Sequence, residues 1–177
     1  MWKIIFILIA FAIFIAYTSS HLIMFGVPHS LSQTYYQFKE RKNWLKFLFP
    51  IMMISIAGFL LPAWLEISEH SDFQFTAFLA CGGLIFTGIC PAFRESKHED
   101  TFHTVSAYFA VVMAFLWIIL VAKLWWIIPT CIIIVLLISS ISRTIKTSYT
   151  YWLEFASILA TIISILTRAI NTVLLFS

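Results

Sequence analysis

The chain has 177 residues, 62% of them hydrophobic, 18% aromatic and 11% charged, with a mean hydropathy of +0.98. A soluble domain carries about 25% charged residues, so the composition excludes an ordinary water-soluble fold. The formal net charge of +3 does not signal nucleic acid: the basic residues follow the connections between apolar runs and form no stripe interleaved with aromatics.

The apolar runs recur along the whole length, each long enough to cross a hydrocarbon core of about 30 Å as a helix. They predict an all-α, polytopic membrane protein, one transmembrane domain over residues 1–177. It is read as a bundle of six transmembrane helices with short loops, spanning about 3–25, 44–64, 73–92, 102–121, 124–142 and 150–175. Helices rather than open strands are required, because backbone polar groups in lipid must satisfy one another. The first run, "MWKIIFILIAFAIFIAYTSS", resembles a signal peptide in its lone lysine and its small polar end. It resumes as "HLIMFGV" and offers no clean A-x-A site, so it is read as a retained helix.

The first connection, about Gly26 to Asn43, is the longest and contains "VPHSLSQTYY". His29 lies beside Ser30, but no G-x-S-x-G frame surrounds the serine. The segment reads as an interfacial turn opened by Pro28, with Tyr35, Tyr36 and Phe38 at headgroup level. Lys39, Arg41, Lys42 and Lys46 come next, a juxtamembrane cluster suited to anionic lipid at about 1 kcal/mol per charge. In the third span, Thr76, Ala80, Gly83 and Thr87 share one face and Ala77, Cys81 and Gly88 an adjacent one. Small residues at this spacing let helices approach closely; a groove for a lipid chain is the alternative. Cys81, Cys90 and Cys131 form no C-x-x-C and read as small buried side chains.

Residues 94–106, "RESKHEDTFHTVS", concentrate polar chemistry in an apolar chain. Pro91 ends the third helix. Asp100 is placed to cap the fourth, and His103 follows in its first turn. On this reading the stretch is a wet, capped loop. The sharper alternative is a metal or acid–base site built from His98, Asp100 and His103, with His29 as a further ligand; the H-x4-H spacing does not put both histidines on one helix face. No cofactor is expected. In the last span, Glu154 and Arg168 are candidate functional residues, because an ionisable side chain at membrane depth is functional by default; the alternative for Glu154, near the start of its helix, is a purely interfacial position. Fourteen residues separate them, about 21 Å along a helix, so they do not pair. Arg168 is expected either to snorkel outward or to hold a lipid phosphate or pair with Glu66 or Glu69.

Orientation follows from the basic residues. Connections one, three and five hold Lys39, Arg41, Lys42, Lys46, Arg94, Lys97, Arg143 and Lys146, against Lys3 and Lys123 on the other side. This places connections one, three and five in the cytoplasm and both termini outside. "SLSQT" at 30–34 echoes "SISRT" at 140–144, but nothing else supports an inverted repeat.

Gly88 and Pro91 closing the third helix, a polar loop, His103 and Ala107 as H-x-x-x-A, then the aromatics Tyr108, Phe109 and Phe115, together resemble bacterial six-helix membrane proteins of unknown function. Their wider relatives are similar to the damage-regulated autophagy modulators and the GPI-anchor lipid-remodelling factors. The likeness covers about 30 residues and the helix count, with no second motif in the last two helices. It implies a six-helix bundle with lipid-linked biology. The expectation is a non-enzymatic protein of a bacterial inner membrane that binds or senses lipid, or serves a membrane complex as a homo-oligomer or with a partner protein. The alternatives are a membrane-embedded metal-dependent hydrolase or transferase using His29, His98, Asp100 and His103, and a small channel or transporter lined by Glu154 or Arg168.

Overall fold

Runs of leucine, isoleucine, phenylalanine and alanine unbroken by charge leave the backbone one economical choice in lipid, and the chain takes it. The computed structural model describes residues 1–91, 97–142, 144 and 146–175, with the backbone alone for 173–175, and is all-helical, with no strand among them. The helices are α1 (Trp2–Phe25), α2 (Thr34–Arg41), α3 (Leu48–Ile67), α4 (Gln74–Ile89), α5 (Lys97–Trp117), α6 (Ile127–Ile141) and α7 (Tyr149–Leu175). A 3-10 turn, Asn43–Phe47, leads into α3, and a π-helical turn, Ile118–Ala122, extends α5. Four helical runs, Trp2–Phe25, Asn43–Ile67, Lys97–Ala122 and Tyr149–Thr172, are long and apolar enough to cross a membrane. The helices α4 and α6 are apolar but shorter. At 16 and 15 residues they reach about 24 and 22 Å.

The packing follows chain order. Helix α3 lies against α1 and α4, α4 against α5, and α6 against α7, while α7 also returns to α1. The core is aromatic at one end: Trp64 and Trp117 are fully buried and meet edge to face, with centroids 5.3 Å apart. Trp117 Nε1 donates to Ser68 Oγ at 2.7 Å, and that hydroxyl donates to the Trp64 carbonyl at 2.7 Å. Lys3 and Glu66 form an ion pair at 2.7 Å at the same end.

Small residues act as expected in α4. A Cβ on Gly83 would stand 2.8 Å from Ala110 Cβ, so the α4–α5 contact depends on a hydrogen there. Ala77, Ala80 and Cys81 are buried beside it. The turn between α5 and α6 is closed by Lys123 in the left-handed region, at φ 57° and ψ 31°.

Two expectations need correction. The polar stretch after Pro91 is not a loop up to residue 102, because α5 begins at Lys97 and carries His98, Glu99 and Asp100 in its first turn. Asp100 therefore sits inside the helix rather than capping it from outside. The connections are not all short either: the first one folds into the bundle as a structured element with its own helix, α2. Arg94 and Arg143, used in the charge count, lie outside the described residues.

Candidate functional site

The site begins with a turn that only glycine makes readily. Gly26 ends α1 at φ 77° and ψ −163°, with its N–H on the Leu22 carbonyl at 3.0 Å. Side chains with a Cβ are strained there. With Pro28 two residues on, the chain turns back into the bundle instead of leaving along the membrane surface. Leu31, Ser32, Thr34, Tyr35 and Phe38 are all buried. The interfacial aromatics expected from sequence are thus divided. Phe38 is core, packed against Tyr17, His21 and Phe25 with ring centroids 5.4–5.7 Å apart.

Polar bonds hold this segment on both sides. Toward α1, the Tyr17 hydroxyl donates to Thr34 Oγ1, whose own proton goes to the Leu31 carbonyl. His21 Nε2 donates to Gln37 Oε1 at 2.7 Å. Toward α7, the Tyr151 N–H donates to the His29 carbonyl at 2.9 Å, and His29 Nδ1 donates to the Thr147 carbonyl. Glu154 Oε2 accepts the Leu31 N–H at 2.6 Å. The Glu154 carboxylate is thus the acceptor for a backbone donor of the inward-folded segment, 123 residues away in sequence.

Toward α5, the same segment meets His103, which is 4% exposed. His103 Nδ1 lies 2.8 Å from the Cys90 carbonyl, and Nε2 lies 2.7 Å from Ser32 Oγ. A carbonyl oxygen only accepts, so Nδ1 carries the proton. In the neutral ring Nε2 is then an acceptor, and the Ser32 hydroxyl donates to it. Phe49 stands beside the imidazole, with ring centroids 6.3 Å apart.

Ser32 and His103 face a cleft of ≈ 550 Å³ between α5, α6 and α7. Its polar end holds Ser30, Ser32, Asp100, His103, Thr104 and Glu154; Val111, Phe115, Ile132 and Leu153 continue it as an apolar wall. Tyr108 and Tyr149, both on the rim, are exposed. A second, narrower cavity of ≈ 70 Å³ shares Ser32, Ala107, Val111, Glu154 and Ser157 with the cleft. It runs inward past Leu84, Ala110 and Ile158 to Trp64. Trp64 Nε1, fully buried, meets no partner among the described residues.

The residues singled out from sequence are not brought together. His98 is exposed on α5, and His29 is exposed and bound to Thr147. Among the described residues no three His, Cys, Asp or Glu side chains gather at metal-binding distance. Of them, His103 and Glu154 line the cleft with specific partners, Ser32 and the Leu31 N–H, and Asp100 lines its mouth. Arg41 and Lys42 are exposed and Lys39 and Lys46 half-buried; Arg41 lies over the Phe25 ring at 5.9 Å and Lys46 over Phe47 at 5.2 Å. Arg168 is half-buried, forms no ion pair among the described residues, and its Nε meets no hydrogen-bond acceptor there; Glu66 is taken by Lys3. The two echoing stretches differ in shape: residues 30–33 turn into α2, whereas Ser140 and Ile141 end α6.

Sequence reasoning missed Ser32, Thr34, Gln37 and the Cys90 carbonyl. Their partners lie up to 71 residues away, and nothing local to "SLSQT" marks its second serine as the buried one. Compared with known families, with curated proteins and with solved structures, the chain matches none.

Proposed function

We propose that this is a six-span integral membrane protein that holds a lipid in the cleft between α5 and α7. One observation carries the reading: the cleft is polar where α5 and α7 begin and apolar along its length, the polarity profile of a lipid with its headgroup at the surface. The connected narrow cavity extends the apolar part toward Trp64.

The shorter helices α4 and α6 complete the six spans. A span a few ångströms short of the hydrocarbon thickness is accommodated by local thinning at modest cost, and exposed Trp125 and Trp126 at the start of α6 supply interfacial anchors. The basic segment after α2 carries exposed Trp44 and Phe47 among its charges. It suits the anionic cytoplasmic leaflet of a bacterial inner membrane, with connections one, three and five inside. The resemblance to lipid-remodelling factors agrees with this reading. The metal-dependent alternative lacks a ligand set among the described residues.

The test is lipid content. Purified protein is extracted and its lipids are quantified by mass spectrometry against Ala107→Trp, which places an indole where both cavities meet. Stoichiometric lipid in the wild type, lost in the variant, is expected. Equal lipid in both preparations refutes the cleft as the binding place.

A further inference from the structure

We propose that Ser32 is a nucleophile, that His103 is its general base, and that the site acts on the acyl ester of a lipid seated in the cleft. The proposal rests on the lipid reading above and assigns that site a chemistry. A serine hydroxyl becomes nucleophilic when a neighbouring base takes its proton, and the base needs a third group to fix its tautomer. All three parts are present. The Ser32 hydroxyl and His103 Nε2 are 2.7 Å apart, within the reach a general base needs. The Cys90 carbonyl, 2.8 Å from Nδ1, holds the ring with its acceptor nitrogen toward the serine.

Placement points to the substrate. His103 is six residues into α5, about 9 Å along the axis. On the six-span reading, with Lys97 at headgroup level, this puts His103 near the boundary between headgroup and hydrocarbon, where the ester linkages of a lipid lie. Ser32 lines both the wide cleft and the narrow apolar cavity. A chain along the apolar wall of the wide cleft, past Val111, Phe115 and Leu153, with its headgroup toward Ser30 and Thr104, sets its ester carbonyl beside Ser32. A structural clasp alone does not require the pair to sit at that junction.

The step balances without a cofactor. Ser32 Oγ attacks the ester carbonyl carbon, and its proton passes to His103 Nε2. The tetrahedral intermediate collapses with cleavage of the bond to the lipid alkoxide. That alkoxide takes the proton from His103 and leaves as the alcohol. Water entering by the polar mouth gives its proton to His103, attacks the acyl-Ser32 ester and releases the fatty acid. Ser32 is reprotonated by His103.

The experiment uses the full chain in detergent with an alkyl fluorophosphonate, a serine-directed probe that mimics the acylation step, and maps the adduct by peptide mass spectrometry. The expected result is an adduct on Ser32, absent in Ser32→Ala and formed at least about 100-fold more slowly in His103→Gln. Glutamine keeps a donor for the Cys90 carbonyl and removes the base. Folding of each variant is checked by size-exclusion chromatography, and adduct mapping on the wild type does not depend on any variant folding. Lipid content is measured in the same preparations. Copurified lipid with no adduct on Ser32 overturns the proposal and leaves lipid binding standing. An adduct on Ser32 without copurified lipid supports the nucleophile and sinks the lipid reading. An adduct formed equally fast in His103→Gln overturns the role of the base.

Discussion

Replacing Gly83 by alanine tests the α4–α5 contact that positions His103. The added Cβ would meet Ala110 Cβ at 2.8 Å and Ala110 Cα at 2.9 Å. Ordinary contact begins at 3.4 Å, so the helices must separate by about 0.6 Å or more. Overpacking of this kind costs about 1–3 kcal/mol. Alanine also favours the helix over glycine by about 1 kcal/mol in aqueous hosts, which would mask part of the loss. Gly82→Ala supplies the control, because its Cβ would have nothing within 4 Å. The propensity gain is common to both variants and cancels on subtraction. Gly83→Ala should therefore be less stable than Gly82→Ala by about 1–3 kcal/mol, and Ala110→Gly should not restore the difference, because the Ala110 backbone itself stands 2.9 Å from the added Cβ. Unfolding by increasing mole fraction of a denaturing detergent, followed by tryptophan fluorescence, reads both. Equal stability of the two alanine variants would refute the close contact. Because Ala110 is two turns beyond His103 on α5, the same variant should slow the Ser32 adduct even where the protein remains folded.

Gly26→Ala should cost about 1–3 kcal/mol for the forced backbone alone, and because that turn aims the first connection inward, proteolysis between residues 27 and 41 should speed up; an unaltered cleavage rate would count against an inward-folded segment. Trp117→Phe keeps an aromatic ring edge to face with Trp64 but removes the donor to Ser68. It should lower stability by about 1 kcal/mol in a thermal melt, and no shift would mean that bond is not formed. For topology, single cysteines at Asn43 and His70, both exposed, are introduced with the three native cysteines replaced. In intact cells an impermeant thiol reagent should label His70→Cys and spare Asn43→Cys. The opposite pattern reverses the orientation drawn from the basic residues.

The helices were legible in sequence because an apolar run long enough to cross lipid has few alternatives, and five of the six expected spans begin within a few residues of an observed helix. The fourth starts earlier because Lys97, His98 and Glu99 continue the helix beyond the apolar run, and hydropathy ends where the apolar surface ends. The tight packing expected from Gly83 and its neighbours was readable from side-chain size alone. The site was not. His103 stood out as a polar residue in an apolar chain, but its metal-ligand reading rested on His98, which α5 carries on another face, and on Asp100, which shares the cleft mouth but stays exposed. Ser32 looked like any turn serine. Its significance comes from Gly26 and Pro28, which return the chain to the bundle, and from Glu154, whose carboxylate receives the Leu31 N–H. Such pairings are fixed by tertiary geometry, which no local period encodes.

The clasp between residues 29–31 and α7 bears on how the protein is made. The ribosome delivers the first connection more than a hundred residues before Thr147, Tyr151 and Glu154 exist. Until α7 is made, Leu31 N–H has no Glu154 carboxylate to bind, and the face that the first connection buries against α7 stays uncovered. Completion of the cleft is therefore a late event in biogenesis, coupled to insertion of the seventh helix. A chain stalled before that point would hold most of its spans and none of its site.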